Sequence, residues 1–325
     1  TLSGNPVHTD LFNLYQEREI GHISLADRAD LLVVAPATAN IIGKVAGGIA
    51  DDLLSTTLMA TRAPVLFAPA MNHNMYENPL YQQNQEKLEG LGYHFLEPVV
   101  GYLACGWEGK GKLPEPEAIF EATLGLLGPR DLAGETVLVT AGPTREELDP
   151  VRYLSNYSSG RMGYALAKAA RRRGARVVLV SGPTALPVPC GVERIAVGSA
   201  RQMREAVLAH LPEATVIIKA AAVADYRPAE RCEQKIKKGP QAQLSLLLEK
   251  NPDILAELGR LKTTQLLVGF AAETTDLATH ARQKLADKNL DMIVASMSAE
   301  RMPVLTWKPT RYACFMPTAK TKNCL

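Results

Sequence analysis

Short apolar runs that alternate with helical patterns constrain this 325-residue chain more than any other feature. Runs of roughly four to eight apolar residues bounded by turns read as strands buried on both faces, and the helix after each one carries the chain back to start a parallel neighbour. The alternation predicts an α/β protein of two Rossmann-like three-layer domains with mainly parallel sheets. In the first part, "LLVVAP" (31–36) and "PVLFAP" (64–69) read as strands, and the Ala- and Gly-rich stretch 37–60 between them as one closely packed crossover helix. A turn-rich stretch over 106–116 and "GPRDLAG" (128–134) then interrupt the pattern, so the boundary falls there and divides the chain into 1–128 and 129–325. Beyond it the alternation restarts. Strands are expected at "TVLVTA", "ARVVLVSG", "ATVIIKAAA", "LLVGFAAE" and "LDMIVA", with helices at about 161–173, 200–211, 252–261 and 277–288.

Composition narrows the function classes. A chain with 46% hydrophobic and 22% charged residues has ample material for a core, and a net charge of +2 argues against a nucleic-acid binder. Five cysteines (Cys105, Cys190, Cys232, Cys314 and Cys324) form no C-x-x-C pair, which points away from zinc and from a disulfide framework. Reduced thiols suit the cytoplasm. No apolar run approaches the roughly 18 residues of a membrane helix, and no signal peptide opens the sequence. The first 20 residues carry no strand or helix period and begin at Thr1, so a missing N-terminal segment is expected.

The longest polar stretch is "VTAGPTREELDPVRYLSNYSSGRMG", which leaves a strand and ends in a helix start. Strand tips of open parallel sheets face a common crevice, so the polar segments 142–160, 181–183, 222–228 and 271–274 are expected to converge on one site. Gly160 and Gly163 open a helix after Ser158 and Ser159; its free N–H groups would hold an anion, or Ser159 would simply cap it. The turn "AGPTRE" replaces the G-x-G-x-x-G of an NAD-dependent reductase, which disfavours that reading. Lys235, Lys237 and Lys238 suit a triphosphate whose leaving pyrophosphate gathers charge, or form a solvated basic loop. Asp225, at a strand tip, suits a base, a ribose, Mg²⁺ or a plain turn.

The first part offers three more candidates. His22 starts an amphipathic helix, either as a base or as a surface residue. Asn72 follows a strand directly, where its amide would bind a substrate carboxylate or complete a turn. Cys105 lies in a Gly-rich loop, as a mobile thiol acid or as an unreactive buried cysteine.

Seven motifs in register, "HISLADRADLLVVAPATANIIGKVAGGIADDLL", "PAMNHNMY", "ACG", "TAGPTREELDPVRYLSNYSSGRMG", "AAAVADYRP", "KIKK" and "GFAAET", resemble one family from about residue 4 to 295. It is the bifunctional family of coenzyme A biosynthesis that joins a phosphopantothenoylcysteine decarboxylase to a phosphopantothenate-cysteine ligase. In the decarboxylase half the resemblance implies FMN, with His22 as base, Asn72 as ligand of the substrate carboxylate and Cys105 as proton donor. Ala35, Pro36, Thr38 and Asn40, with Asp51 or Asp52 nearby, resemble the family's flavin-contacting strand and helix. In the ligase half it implies that CTP activates 4'-phosphopantothenate as an acyl-cytidylate, which cysteine opens to phosphopantothenoylcysteine. Asn156 would hold that intermediate, Ser158, Ser159 and Gly160 the phosphate, and Lys237 would neutralise charge during transfer. Lys235, Lys238, Asp225, Phe270 and Ala271 would lie near the nucleotide, with Mg²⁺ bridging its phosphates. A homo-oligomer is implied too, with trimeric decarboxylase sites and dimeric ligase contacts.

Two departures set further expectations. The family begins with a strand and a Gly-rich turn that cradles the FMN phosphate, and this chain starts past that unit. After residue 295 the family pattern ends, and the remaining "SMSAERMPVLTWKPTRYACFMPTAKTKNCL" is expected to form no packed element, as a frame shift near 297–302 would produce. The competing function is a catalytically silent nucleotide-binding remnant that assembles with intact subunits.

Overall fold

The computed structural model describes residues 4–5, 7–8, 21–102, 106–237, 243–273, 277–297, 312–317 and 322–324. The chain divides into two units, Thr1–Pro129 and Arg130–Leu325.

The first unit runs α1 (Gly21–Arg28), β1 (Leu32–Ala37), α2 (Ala39–Gly47), α3 (Leu53–Ala60), β2 (Val65–Pro69), α4 (His73–Tyr76), α5 (Pro79–Gly90), β3 (His94–Phe95), β4 (Val99–Tyr102), β5 (Glu108–Lys112) and α6 (Pro116–Leu127). β1, β2 and β3 pair in parallel in that order. Every residue of β2 is buried, as a central strand covered on both faces requires. Phe67 shares a core with Val34, Ile42, Val45, Tyr81 and Leu88, which seats α2 and α5 on the sheet. The single crossover helix expected over 37–60 is in fact two. Gly48 turns left-handed (φ 70°) and closes its N–H on the carbonyls of Lys44 and Val45, a geometry that ends a helix and suits glycine. Asp52 then caps α3 through a reciprocal box with Ser55. The stretch expected as turns over 106–116 likewise contains β5, antiparallel to β4.

The second unit runs β6 (Thr136–Ala141), β7 (Arg145–Glu147), β8 (Tyr153–Ser155), α7 (Arg161–Arg172), β9 (Arg176–Ser181), β10 (Glu193–Ala196), α8 (Ala200–His210), β11 (Val216–Lys219), β12 (Tyr226–Pro228), β13 (Leu248–Lys250), α9 (Ile254–Leu261), β14 (Leu266–Glu273), α10 (Leu277–Asp287), β15 (Met292–Met297), β16 (Tyr312–Phe315) and β17 (Lys322–Cys324). Its main sheet has the order β10-β9-β6-β11-β14-β15-β16-β17, parallel as far as β15. Alternate residues of each strand feed opposite cores. Val137, Val139, Val177 and Leu179 pack with Tyr164, Ala167 and Ala170 of α7. Leu138, Val178, Val180 and Ile217 pack on the other face with Met203, Leu258 and Ala281 of α8, α9 and α10. The result is helix, sheet, helix: three layers, with β6 and β9 buried on both faces.

The tail departs from expectation. β16 runs antiparallel to β15 with Ile293 opposite Phe315, and Cys314 and Phe315 are buried. Phe315 joins the core under α10, so apolar burial organises a stretch whose four-residue strand is too short to show a period.

Candidate functional site

The strand order of the second unit reverses between β6 and β11, and crevices of open α/β sheets form at such a point, beyond the C-terminal strand ends. There the ladder continues past the strands. Ala222 N–H donates to Gly142 O at 2.9 Å, and Thr144 N–H donates to Ala222 O at 3.3 Å. Thr140 and Thr144, both fully buried, accept on their hydroxyl oxygens from Ala221 and Ala224 N–H at 3.1 and 3.0 Å. These bonds satisfy backbone donors that no regular strand reaches. Asn156 is held in the same way, its Nδ2 donating to Val223 O at 3.0 Å.

The turn before α7 needs its glycines. Gly160 has φ 75° and caps α7 without any side-chain bond, and a Cβ there would sit 2.7 Å from Thr184 Cγ2 and 3.3 Å from Gly142 Cα. A Cβ on Gly182 would run into Pro143 O. Ser159 Oγ meets Arg161 N–H only at 3.5 Å and Ser158 Oγ meets Gly160 N–H at 3.4 Å, both long for a cap. The α7 N–H groups therefore face the crevice with weak internal partners. Tyr164, in the first turn of α7, is buried with its hydroxyl 3.2 Å from Ser181 Oγ and 3.1 Å from Thr184 Oγ1.

Three of the four segments expected to converge thus do so: 142–160, 181–183 and 222–228. Phe270 and Ala271 lie within the C-terminal half of β14, the neighbour of β11, while residue 274 lies outside the described residues. Asp225 is exposed, and its carbonyl accepts from Asn251 N–H at 2.8 Å. Lys235 and Lys237 are exposed; Lys238 lies outside the described residues.

Several residues at this end of the sheet escaped the sequence reading. Asn251 donates to Ala224 O at 2.8 Å and accepts from Arg227 Nη1 at 3.0 Å, tying β13 to the crevice. Asp149 and Arg152, inside the polar stretch, form an ion pair in which Arg152 Nε and Nη2 both donate to Oδ2. Lys219 is 7% exposed, with Met203 Sδ at 3.9 Å, and burial lowers its ammonium from 10.5 to about 8, with Lys288 adding to this and Asp253 opposing it. A lone lysine inside "VIIKAAA" was the available signal for it.

In the first unit, Pro36, Thr38 and Asn40 line a cavity of about 930 Å³ together with Ser24, Asp52 and Thr57. Thr38 caps α2 by accepting from Ile41 N–H at 3.4 Å. Lys44 Nζ reaches Asp51 at 2.6 Å and Asp52 at 2.7 Å, and its hydrogen bond, joined by that from Ser55 N–H, lowers the Asp52 carboxyl to about 2. Asp52, not Asp51, lines the cavity, and Ala35 is absent from its wall. His22, near the start of α1, has a buried Nδ1 with no hydrogen-bond partner among the described residues. Asn72 caps α4, accepting from Asn74 N–H at 2.8 Å. Neither lines the cavity. The β4–β5 hairpin docks on the Asn72 loop: Met71 N–H donates to Gly111 O at 3.0 Å, and His73 Nδ1 lies 3.2 Å from Lys110 O. Cys105, between those strands in sequence, lies outside the described residues. Among the described residues no helix is long and apolar enough to cross a membrane.

Known proteins resemble both units. The flavoprotein family matches residues 1–128, and the DNA/pantothenate metabolism flavoprotein C-terminal domain matches residues 132–322. The coenzyme A biosynthesis bifunctional protein CoaBC of Bacillus subtilis is 52% identical over 299 residues, covering 91% of this chain and 73% of that protein. The CoaBC of Vibrio cholerae is 49% identical over 297 residues, covering 91% and 74%. A crystal structure of the C-terminal domain of a CoaBC protein is similar at 43% identity with a TM-score of 0.51, covering 60% of this chain and 87% of that one.

Proposed function

The chain belongs to the bifunctional coenzyme A biosynthesis family, which joins a ligase to a decarboxylase, and we propose that its two units divide those reactions between them. The second unit ligates 4'-phosphopantothenate to cysteine. A free carboxylate is a poor acyl donor, so CTP first converts it to an acyl-cytidylate with loss of pyrophosphate, and the cysteine amine then displaces CMP to give phosphopantothenoylcysteine. Asn156 holds the acyl-cytidylate. The weakly capped α7 N-terminus, at Ser158, Ser159 and Gly160, receives phosphate, since free N–H groups and the helix dipole favour an anion there. Lys237 offsets the charge that develops on the leaving pyrophosphate, flanked by Lys235 and Lys238, while Asp225, Phe270 and Ala271 face the nucleotide. Mg²⁺ is the phosphates' counter-ion.

The observation that carries this reading is the crevice at the β6–β11 reversal, where Asn156 and the turn leaving β6 are tied to the segment leaving β11, with Gly160 at the start of α7 packed against Gly142 of that turn.

The first unit decarboxylates the product to 4'-phosphopantetheine. Its cavity has the volume and the mixed polar and apolar lining of a cofactor site, so Pro36, Thr38, Asn40 and Asp52 fit FMN. The chemistry that FMN would supply when bound is a reversible oxidation: a hydride leaves the cysteinyl side chain, which makes loss of its carboxylate easy, and comes back once CO₂ has left, so the product is the saturated thiol. His22, whose buried Nδ1 wants a partner, takes the proton; Asn72 binds the carboxylate; Cys105 returns a proton. The units work as a homo-oligomer in the cytoplasm, with trimeric decarboxylase and dimeric ligase contacts.

The test is pyrophosphate release by the purified chain with 4'-phosphopantothenate, Mg²⁺ and either CTP or ATP, before and after cysteine. CTP-dependent release followed by CMP on adding cysteine is expected. Silence from a folded protein would favour the nucleotide-binding remnant.

A further inference from the structure

The polar stretch between β6 and α7 holds an acid to which the ligase reading gives no task. Asp149, in the turn joining β7 to β8, is 1% exposed, although an aspartate in so polar a setting ordinarily faces water. A buried carboxylate persists only when its lone pairs are filled, and those of Asp149 are. Oδ1 accepts from the N–H groups of Val151 and Arg152, each at 2.8 Å, which closes the turn. Oδ2 accepts from Arg152 Nε at 2.9 Å and Nη2 at 2.6 Å, and from the backbone N–H of Ile236 at 3.1 Å. Arg152 Nη2 also donates to Ile236 O at 2.6 Å.

Both backbone groups of Ile236, 87 residues away, are therefore gripped by one ion pair. Ile236 stands between Lys235 and Lys237; it is half-buried and they are exposed. Holding its N–H and its C=O fixes the two peptide planes that flank it, and with them the Cα atoms from which both lysine side chains leave the backbone. Two more bonds run alongside, Cys232 N–H to Leu148 O at 2.9 Å and Arg231 Nε to Glu147 Oε2 at 2.5 Å.

We propose that Asp149, acting with Arg152, is a positioning residue that latches the 235–237 segment so that its lysines meet the triphosphate in one fixed orientation. The latch rests on the ligase reading of this crevice. A lysine is a point charge on a flexible stem, so its contribution to transfer depends on where its backbone is held. Burial alone would raise the Asp149 carboxyl, but the bonds from Val151, Ile236 and Arg152 outweigh it and hold the group well below the usual carboxylate range. The latch stays charged at neutral pH.

Asp149→Asn in the full chain tests this. The substitution keeps size and one acceptor for the turn, but sets an N–H₂ group against the donors of Arg152 and Ile236. Hydrogen exchange over residues 229–237 and steady-state pyrophosphate release are read separately. The segment is expected to exchange about 10-fold faster while β6 and β9 keep their wild-type rates. kcat is expected to fall about 10- to 100-fold with KM for CTP changing less than about 3-fold. Arg152→Lys, which keeps the charge and loses the fork, is expected to shift both readouts in the same direction, and serves if Asp149→Asn does not fold. Unchanged exchange in the segment, equal loss of protection in β6 and β9, or faster exchange with full activity would each overturn the latch. A wild-type chain without CTP-dependent pyrophosphate release would instead remove the ligase reading, and the exchange data would still decide whether the segment is latched.

Discussion

In Thr1–Pro129 the polar side chains of the proposed site bond close to themselves in the chain: Thr38 to Ile41, Asp52 to Ser55, Asn72 to Asn74. In Arg130–Leu325 they reach across the sheet instead, from Thr140 to Ala221, Thr144 to Ala224 and Asn156 to Val223, over 81, 80 and 67 residues. Local caps need only their own turn, whereas the long-range ties exist only once β6 and β11 lie side by side. A change in the second unit should therefore travel from scaffold to site, and one in the first unit should stay where it is made.

The sharpest break of that contrast is at Lys237, which touches the proposed chemistry and not the scaffold. Lys237→Met should lower CTP-dependent pyrophosphate release about 10²- to 10³-fold with an unchanged melting temperature, and a melting shift would mean that the lysine is structural. Next comes Lys219, whose penalty is created by assembly of the sheet. Its folded pKa, about 8, lies below the ordinary 10.5, so between these values the unfolded chain binds a proton that the folded chain lacks, and stability should rise with pH across that window. Lys219→Met should remove the rise and add up to about 3 kcal/mol at pH 7, as read by urea unfolding at pH 7 and 9. Flat wild-type stability there would place the ammonium in water.

Smaller effects compare the ties themselves. Thr144→Val orphans a buried Ala224 N–H and should cost about 2 kcal/mol, with pyrophosphate release falling as well. Asp52→Ala removes a helix cap and should cost about 1 kcal/mol without touching the ligase assay. Equal effects of these two on the ligase would erase the distinction between the units.

Much of the fold was legible because long, buried parallel strands are continuous apolar runs. β6 and β14 begin and end where "TVLVTA" and "LLVGFAAE" do. The pairs β7–β8 and β12–β13 were not legible, since three-residue strands carry no period and owe their pairing to ties such as Asn251 to Ala224. The break at Gly48 was hidden among helix-compatible small residues, and burial of Phe315 shows only in three dimensions. At the crevice, the helix start at Gly160 stood out at the end of the long polar stretch, whereas Asn156 was singled out by the family resemblance alone. Asp149 looked like any turn aspartate until its partner Ile236 was in place.

The central claim is that the two reactions are housed separately. Pyrophosphate release from CTP and CO₂ release from phosphopantothenoylcysteine, measured side by side in Lys237→Met and His22→Asn, address it most directly. The account predicts that Lys237→Met loses the first and keeps the second, and that His22→Asn does the reverse. Variants that lose both activities together, or neither, would contradict it.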